Sequence, residues 1–198
     1  MSDDENEDTP KYEAPKKVDL KDLVNQDADD ESLRKYKEAL LGKAAGGDVV
    51  SPSDDPRRVV IIKMRVIFED RPDGAIEYDL ATKEKLAAMK DTPFVLKESC
   101  KYKIEVTFKV QHDIVSGLKY VNSVYRKGVR VDKSNTMLGS FGPQADPHVV
   151  VFPRHGWDEA PSGMLARGDY KAKSQFIDDD DQNHLEYEYA FSIKKQWK

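Results

Sequence analysis

The sequence predicts an all-β chain: a two-layered antiparallel sandwich preceded by a flexible acidic arm that carries two short α-helices. Three observations predict it. Apolar residues recur with a period of 3.6 before about residue 57 and with a period of 2 after it. The later part holds eight or nine short segments with one apolar face each, separated by turn residues. Charge divides at the same place. Residues 1–56 carry 16 acids and 8 bases, a net of −8, whereas the remainder is at +3.

The arm comes first. From Met1 to about Tyr12 the chain is charged and almost free of apolar residues, the composition of a disordered tail. "VDLKDLVNQ" then sets Leu20, Leu23 and Val24 on one side of a helix near 19–26, with Asp19 as its cap. "DDESLRKYKEALLG" predicts a second helix near 30–41. Its stripe is Leu33, Tyr36, Leu40 and Leu41, its cap Asp29 or Asp30, and its stop Gly42. Glu31 with Lys35 and Arg34 with Glu38 add charge pairs one turn apart. Both helices fall below or near the ~12–15 residues at which isolated helices become marginal in water. Their apolar stripes therefore need a surface: their own sandwich, or a partner on which they fold. "GKAAGGDVVSPSDDP" follows as a Gly, Ser, Pro and Asp-rich tether.

The sandwich is expected over 57–198. "VIIKMRVIF" alternates Ile62, Met64, Val66 and Phe68 against Lys63 and Arg65, and "RPDG" is a turn behind it. Ile76, Tyr78 and Leu80 alternate next, before a short helical interruption in "KEKLAAMK". In "YKIEVTFKV", Tyr102, Ile104, Val106, Phe108 and Val110 face one way and Lys103, Glu105 and Lys109 the other. Further strands are predicted in "LKYVNSVYRK", "VRVDK", "HVVVF", "YKAKSQFI" and "LEYEYAFSIKK", the last with Leu185, Tyr187, Tyr189, Phe191 and Ile193 on one face. One-faced strands need a second apolar layer, so the set predicts an immunoglobulin-like sandwich that needs no disulfide. Its inner face is rich in aromatics. That reads either as a bulky core or as a sandwich that does not close and leaves a slot for an apolar ligand.

Chemistry is sparse. The chain has no phosphate loop, no dinucleotide fingerprint, no nucleophile elbow and no HExxH pair. His112, His148, His155 and His184 lack zinc-like spacing, and "DDDD" at 178–181 lacks the spaced ligands of a calcium loop, reading instead as a solvated turn. We therefore expect no cofactor, no metal, no catalytic residue and no enzyme. The single Cys100 excludes an intrachain disulfide framework and reads as an ordinary strand-end residue. The acidic arm argues against nucleic acid, since phosphate binding needs clustered Lys and Arg. The N-terminus is not a signal peptide, and no apolar run approaches the roughly 18 residues of a spanning helix. A cytosolic protein is expected.

Taken together, "DDESLRKYKEALLG", "FVLKESCKYKIEVTF", "IVSGLKYVNSVYRKGVRVDK", "LGSFGP", "APSGMLARGDYKAKSQFIDDDD" and "IKKQWK" closely resemble the Rho GDP-dissociation inhibitor family, across most of residues 16–198. The resemblance implies a monomer that forms a heterodimer with a prenylated, GDP-bound Rho- or Rac-type GTPase. It implies an immunoglobulin-like sandwich that holds the partner's geranylgeranyl lipid, and an arm laid over the partner's nucleotide switches. It also implies a transient contact, no more, with the membrane surface. Asp30 matches an aspartate that bonds the switch I threonine, and Ser32, Leu33, Tyr36, Leu40 and Leu41 share its contact helix. Asp179 and Asp180 match acids at the sandwich rim that meet a switch II arginine. Val66, Phe94, Tyr102, Ile114, Leu165 and Tyr189 match prenyl-binding positions.

Departures limit the carry-over. Tyr189 stands where relatives often have Trp, Pro93 and Asp169 stand where some have serine, and "DPHVVVFPRHGWDE" is longer than the usual pattern. The alternative expectation is a general prenyl or acyl carrier without nucleotide-state control.

Overall fold

A computed structural model of the chain describes residues 31, 32, 35, 39 and 54–197. Over 54–197 the chain folds as two packed sheets. The strands are β1 (Val59–Phe68), β2 (Ile76–Asp79), β3 (Phe94–Lys97), β4 (Lys101–Val110) and β5 (Val115–Arg126). They continue as β6 (Val129–Phe141), β7 (His148–Phe152), β8 (Asp158–Glu159), β9 (Gly168–Ile177) and β10 (Asn183–Lys194). One sheet has the order β2-β1-β4-β7, with β8 added to β4; the other has the order β3-β10-β9-β5-β6. The all-β sandwich expected from the alternation is what the chain adopts.

The turns follow local chemistry. The Gly74 amide donates to the Arg71 carbonyl at 3.2 Å, closing the "RPDG" turn. The predicted helical interruption is α1 (Lys83–Ala88), where the Thr82 hydroxyl accepts from the Lys85 amide.

Three details differ from the sequence reading. A bulge between Ile61 and Lys63 shifts the phase of β1, so Ile61 rather than Ile62 is buried. β3 pairs with β10 in parallel, against the purely antiparallel expectation, because the α1 excursion returns the chain alongside β10 in the same direction. β3 and β8 span four and two residues, too few for alternation to show.

Register defines two ends. Val59 opposes Val110 and Phe68 opposes Tyr102 in the first sheet, while Ile177 opposes Lys119 and Gly168 opposes Ile193 in the second. One end therefore gathers the start of β1, the β4–β5 connection and the β9–β10 turn. It is closed by Val59, Phe108, Val115, Leu118, Leu138 and Phe176, all at most 1% exposed. The other end gathers Tyr102, Arg126, Gly168 and Ile193, and there the two sheets part.

Candidate functional site

The parting sheets leave a cleft of about 860 Å³, within the size range of small-molecule sites. β1 and β4 of the first sheet supply Met64, Val66, Tyr102 and Ile104. From the second sheet come Phe94, Asn122, Tyr189 and Phe191, and the loop before β9 adds Leu165. Alternation explains the wall: inward positions of β10 carry Tyr187, Tyr189 and Phe191, and the rings of Phe94 and Tyr170 stack on the last two. The Phe94 ring lies 6.0 Å from Tyr189 and 5.7 Å from Phe191, and Tyr170 lies nearly parallel to Phe191 at 5.1 Å. These stacks run along the second sheet; rings meet across to the first sheet at Tyr78 with Phe94 and at Tyr120 with Phe152, and the slot lies between the two walls.

Behind the apolar lining runs a hydrogen-bonded polar seam. The hydroxyls of Tyr120 and Ser174 lie 2.8 Å apart. Ser174 donates to Asn122 Oδ1 at 3.2 Å, and the Tyr189 hydroxyl donates to the same oxygen at 3.3 Å. The Tyr187 hydroxyl points at Met64 Sδ, 3.2 Å away. Burial pushes the Tyr102 phenol up to about 12 and those of Tyr120, Tyr187 and Tyr189 well above their ordinary value. The phenols stay protonated, and the interior is neutral. Charge is confined to the mouth, where Arg126, Asp132, Asp158 and Glu159 stand. Such a wall suits an apolar chain.

The mouth is bounded by a braced loop. Arg126 donates to the carbonyls of Leu165 and Arg167, the latter at 2.7 Å, with its guanidinium over the Tyr170 ring. Arg167 grips Glu98 through two 2.9 Å bonds, and the Gly163 amide donates to the same carboxylate. Those donors hold the Glu98 carboxyl below its usual value, the Arg167 bonds contributing most. Gly168 lies beside them at φ +136, a conformation that favours glycine, and a Cβ there would sit 2.9 Å from Arg126 Nη2 and displace the guanidinium.

A second cluster lies at the closed end, on the β9–β10 turn. Asp178 is 1% exposed, so the predicted solvated turn is partly a buried polar knot. Its carboxylate accepts from Arg58 at 2.6 Å, from His184 Nε2 at 2.8 Å, and from the amides of Asp180 and Gln182. Four donors converge on one carboxylate, which is why it tolerates enclosure. Burial lowers the His184 pKa, and the Arg58 charge adds to it, outweighing the pull of Asp178. Asp179 pairs with Lys119 at 2.6 Å and Asp180 with Arg58 at 3.3 Å. Gly117, at φ +57, lets Asp179 close over it, since a Cβ would fall within 2.5 Å of all three carboxyl atoms. Arg58 and Arg57 begin the sandwich here, with Gln111 donating to the Arg57 carbonyl. The chain therefore enters the sandwich at the end remote from the cleft.

Of the residues singled out from the sequence, Val66, Phe94, Tyr102, Leu165 and Tyr189 come together around the cleft. Ile114 does not. It precedes β5 at the closed end, some eight positions from Asn122. Asp179 and Asp180 sit together on the acidic turn. Ser32 is helical and exposed, as are Glu31 and Lys35, whose side chains pair at 2.8 Å. Asp30, Leu33, Tyr36, Leu40 and Leu41 lie outside the described residues. Asn122, Ser174 and Arg126 were missed. A signal existed for two of them: each is a polar residue at an inward position of an otherwise apolar alternation, in Leu118-Tyr120-Asn122-Val124 and Tyr170-Ala172-Ser174-Phe176.

Cys100 is buried, and enclosure pushes its thiol up to about 11, so it is no thiolate. Among the described residues no group of three or more His, Cys, Asp or Glu is placed to hold a metal ion, and no helix is long and apolar enough to cross a membrane.

Comparison with known proteins bears on this geometry. A family model described as "RHO protein GDP dissociation inhibitor" matches residues 1–196. A rho GDP-dissociation inhibitor 1 of Dictyostelium discoideum is 56% identical over 200 residues, covering 100% of this chain and 98% of the relative. Rho GDP-dissociation inhibitor 1 of Homo sapiens is 43% identical over 195 residues, covering 98% of this chain and 91% of the relative. The Rho GDP-dissociation inhibitor of Schizosaccharomyces pombe is 40% identical over 198 residues, covering 100% and 93%.

Proposed function

The chain belongs to the RHO protein GDP dissociation inhibitor family, and on that premise we propose that it binds prenylated, GDP-bound Rho-type GTPases in the cytosol as a non-enzymatic inhibitor and carrier. In this reading the arm of residues 1–56 lies over the partner's switch regions and slows GDP release. The sandwich of residues 57–198 holds the geranylgeranyl group. Asp30, Ser32, Leu33, Tyr36, Leu40 and Leu41 form the arm's contact, with Asp179 and Asp180 on the sandwich rim. Val66, Phe94, Tyr102, Leu165 and Tyr189 line the lipid slot, and the complex is a heterodimer.

The observation that carries the reading is the neutral, aromatic-walled cleft of about 860 Å³, open at one end of a sandwich whose other end is packed shut. A prenyl chain of about twenty carbons gains about 0.8 kcal/mol per methylene-sized unit buried in a bilayer, and a slot must match that gain to extract it. Slot and bilayer then nearly cancel. The surplus comes from a second contact, tethered to the first and so acting at high effective concentration. Restraining both switches closes the route by which GDP leaves, an order–disorder restraint rather than catalysis.

The geometry sets a distance between the two contacts. Asp179 donates its amide to the Ser116 carbonyl, and Arg126 stands at the cleft mouth. The ten residue steps along β5 from Ser116 to Arg126 span about 30 Å. A partner held at the acidic turn must send its lipidated tail that far.

The test measures GDP release from a prenylated Rho GTPase, and its transfer from vesicles to solution, with and without this chain. Release is expected to slow and the partner to leave the vesicle at roughly micromolar inhibitor. If neither changes, the reading fails. Deleting residues 1–56 is expected to abolish the effect on GDP release and spare lipid binding. A truncated chain that behaves like the whole would instead mark a general prenyl or acyl carrier.

A further inference from the structure

The open end of the sandwich holds large apolar side chains out in water. Met164 is 83% exposed and Leu165 89%; on the β5–β6 hairpin beside them Val129 is 67% and Val131 53% exposed. The loop that carries Met164 and Leu165 is not slack. Arg126, Arg167, Tyr170 and the Gly163 amide all bond within it or across to Glu98, the Tyr170 hydroxyl reaching the Ala166 carbonyl at 2.6 Å. Arg126 also ends β5, so one guanidinium ties loop and hairpin into a single rim. A backbone braced in this way holds Met164 and Leu165 out in water at the edge of the cleft, which Leu165 also lines.

The rim carries charges of both signs. Asp132, Asp158 and Glu159 line the cleft. Lys127, Arg130 and Lys133 stand exposed on the hairpin, and none of the three takes part in an ion pair among the described residues. Cations and apolar tips project together on the hairpin, with Asp132 exposed between them at the edge of the cleft. Apolar side chains exposed beside these cations suit an interface of acyl chains under anionic headgroups.

We propose that this rim docks on the surface of an anionic lipid bilayer, with Met164, Leu165, Val129 and Val131 entering the interface and Lys127, Arg130 and Lys133 meeting the lipid phosphates. The purpose of the contact rests on the carrier reading: a prenyl chain would pass from bilayer to cleft without crossing water. The contact itself is a property of the free protein.

The experiment is flotation of the full-length chain, without any GTPase, on phosphatidylcholine vesicles with and without about 30% phosphatidylserine. Binding is expected on the anionic vesicles and to weaken as salt is raised. Arg130→Gln with Lys133→Gln should weaken it about five-fold per cation removed, and Met164→Gln several-fold. Val149→Gln, an exposed apolar position on β7 (58%), should leave it unchanged. All are surface positions, so unaltered thermal melts confirm that each variant is folded. Absence of flotation on either vesicle, or equal flotation of every variant, overturns the proposal. So does an outcome in which these variants float normally but bind a GTPase in solution more weakly, which would make the rim a protein contact. If flotation behaves as expected while GDP release from a prenylated GTPase is unaffected by the chain, the docking stands and the inhibitor reading falls.

Discussion

Leu165 lines the cleft and yet is 89% exposed. An apolar residue so placed adds little to folding, so its substitution separates binding from stability. Leu165→Asp is expected to leave the unfolding free energy within about 0.5 kcal/mol of the parent. It should weaken capture of a prenylated peptide at least about ten-fold, because it sets a charge against an apolar chain. Capture retained by a folded variant would remove Leu165 from the slot. His184 works the other way. Its imidazole is 4% exposed and its folded pKa lies below the unfolded value near 6.5. Below that value the unfolded chain binds the proton that the folded chain resists, so stability rises with pH through this window and is lost as pH falls. The urea midpoint should drop between pH 7.5 and 5.5, and His184→Gln, which keeps a donor for Asp178 without titrating, should flatten that drop. Equal slopes for both proteins would show that His184 does not set it.

At the scale of the element, the inner face of the second sheet combines apolar lining with the polar seam through Tyr120, Ser174, Asn122 and Tyr189. Asn122 accepts from two hydroxyls. Asn122→Leu therefore leaves two buried donors without an acceptor and should cost about 1–3 kcal/mol, read from chemical denaturation. Tyr189→Phe removes a donor together with its demand and should cost less. A larger loss from Tyr189→Phe than from Asn122→Leu would mean that the ring packing of Tyr189, not the seam, holds the wall.

On the scale of the whole molecule, the chain enters the sandwich beside the acidic turn, and the cleft opens about 30 Å away along β5. A partner engaged at the acidic turn needs at least about nine extended residues to bring its lipid to the mouth. Shortening the partner's tail below that length should abolish vesicle extraction while the arm still slows GDP release. Extraction that survives the shortening would place the partner nearer the mouth.

How much of this was legible beforehand follows from the physics of each signal. Alternation in "YKIEVTFKV" and "LEYEYAFSIKK" sufficed for β4 and β10, because a strand buried on one face must write that face into every second residue. The bulge in β1, the parallel edge strand β3 and the displacement of Ile114 from the cleft were not legible, since each depends on what lies across the sheet. The burial of Asp178 was hidden as well: four consecutive aspartates look alike until Arg58, some 120 positions earlier, is brought against one of them.

The amino-acid order by itself determined the two-layer β architecture and the aromatic richness of the inner face, both of which are local periodicities or compositions. Only the tertiary structure decided that the aromatic face parts into an open cleft, that its hydroxyls satisfy one another, and that the acidic turn lies at the opposite end. Those depend on the packing of strands distant in sequence, where the same side chain can close a core or line a void according to what stands opposite it.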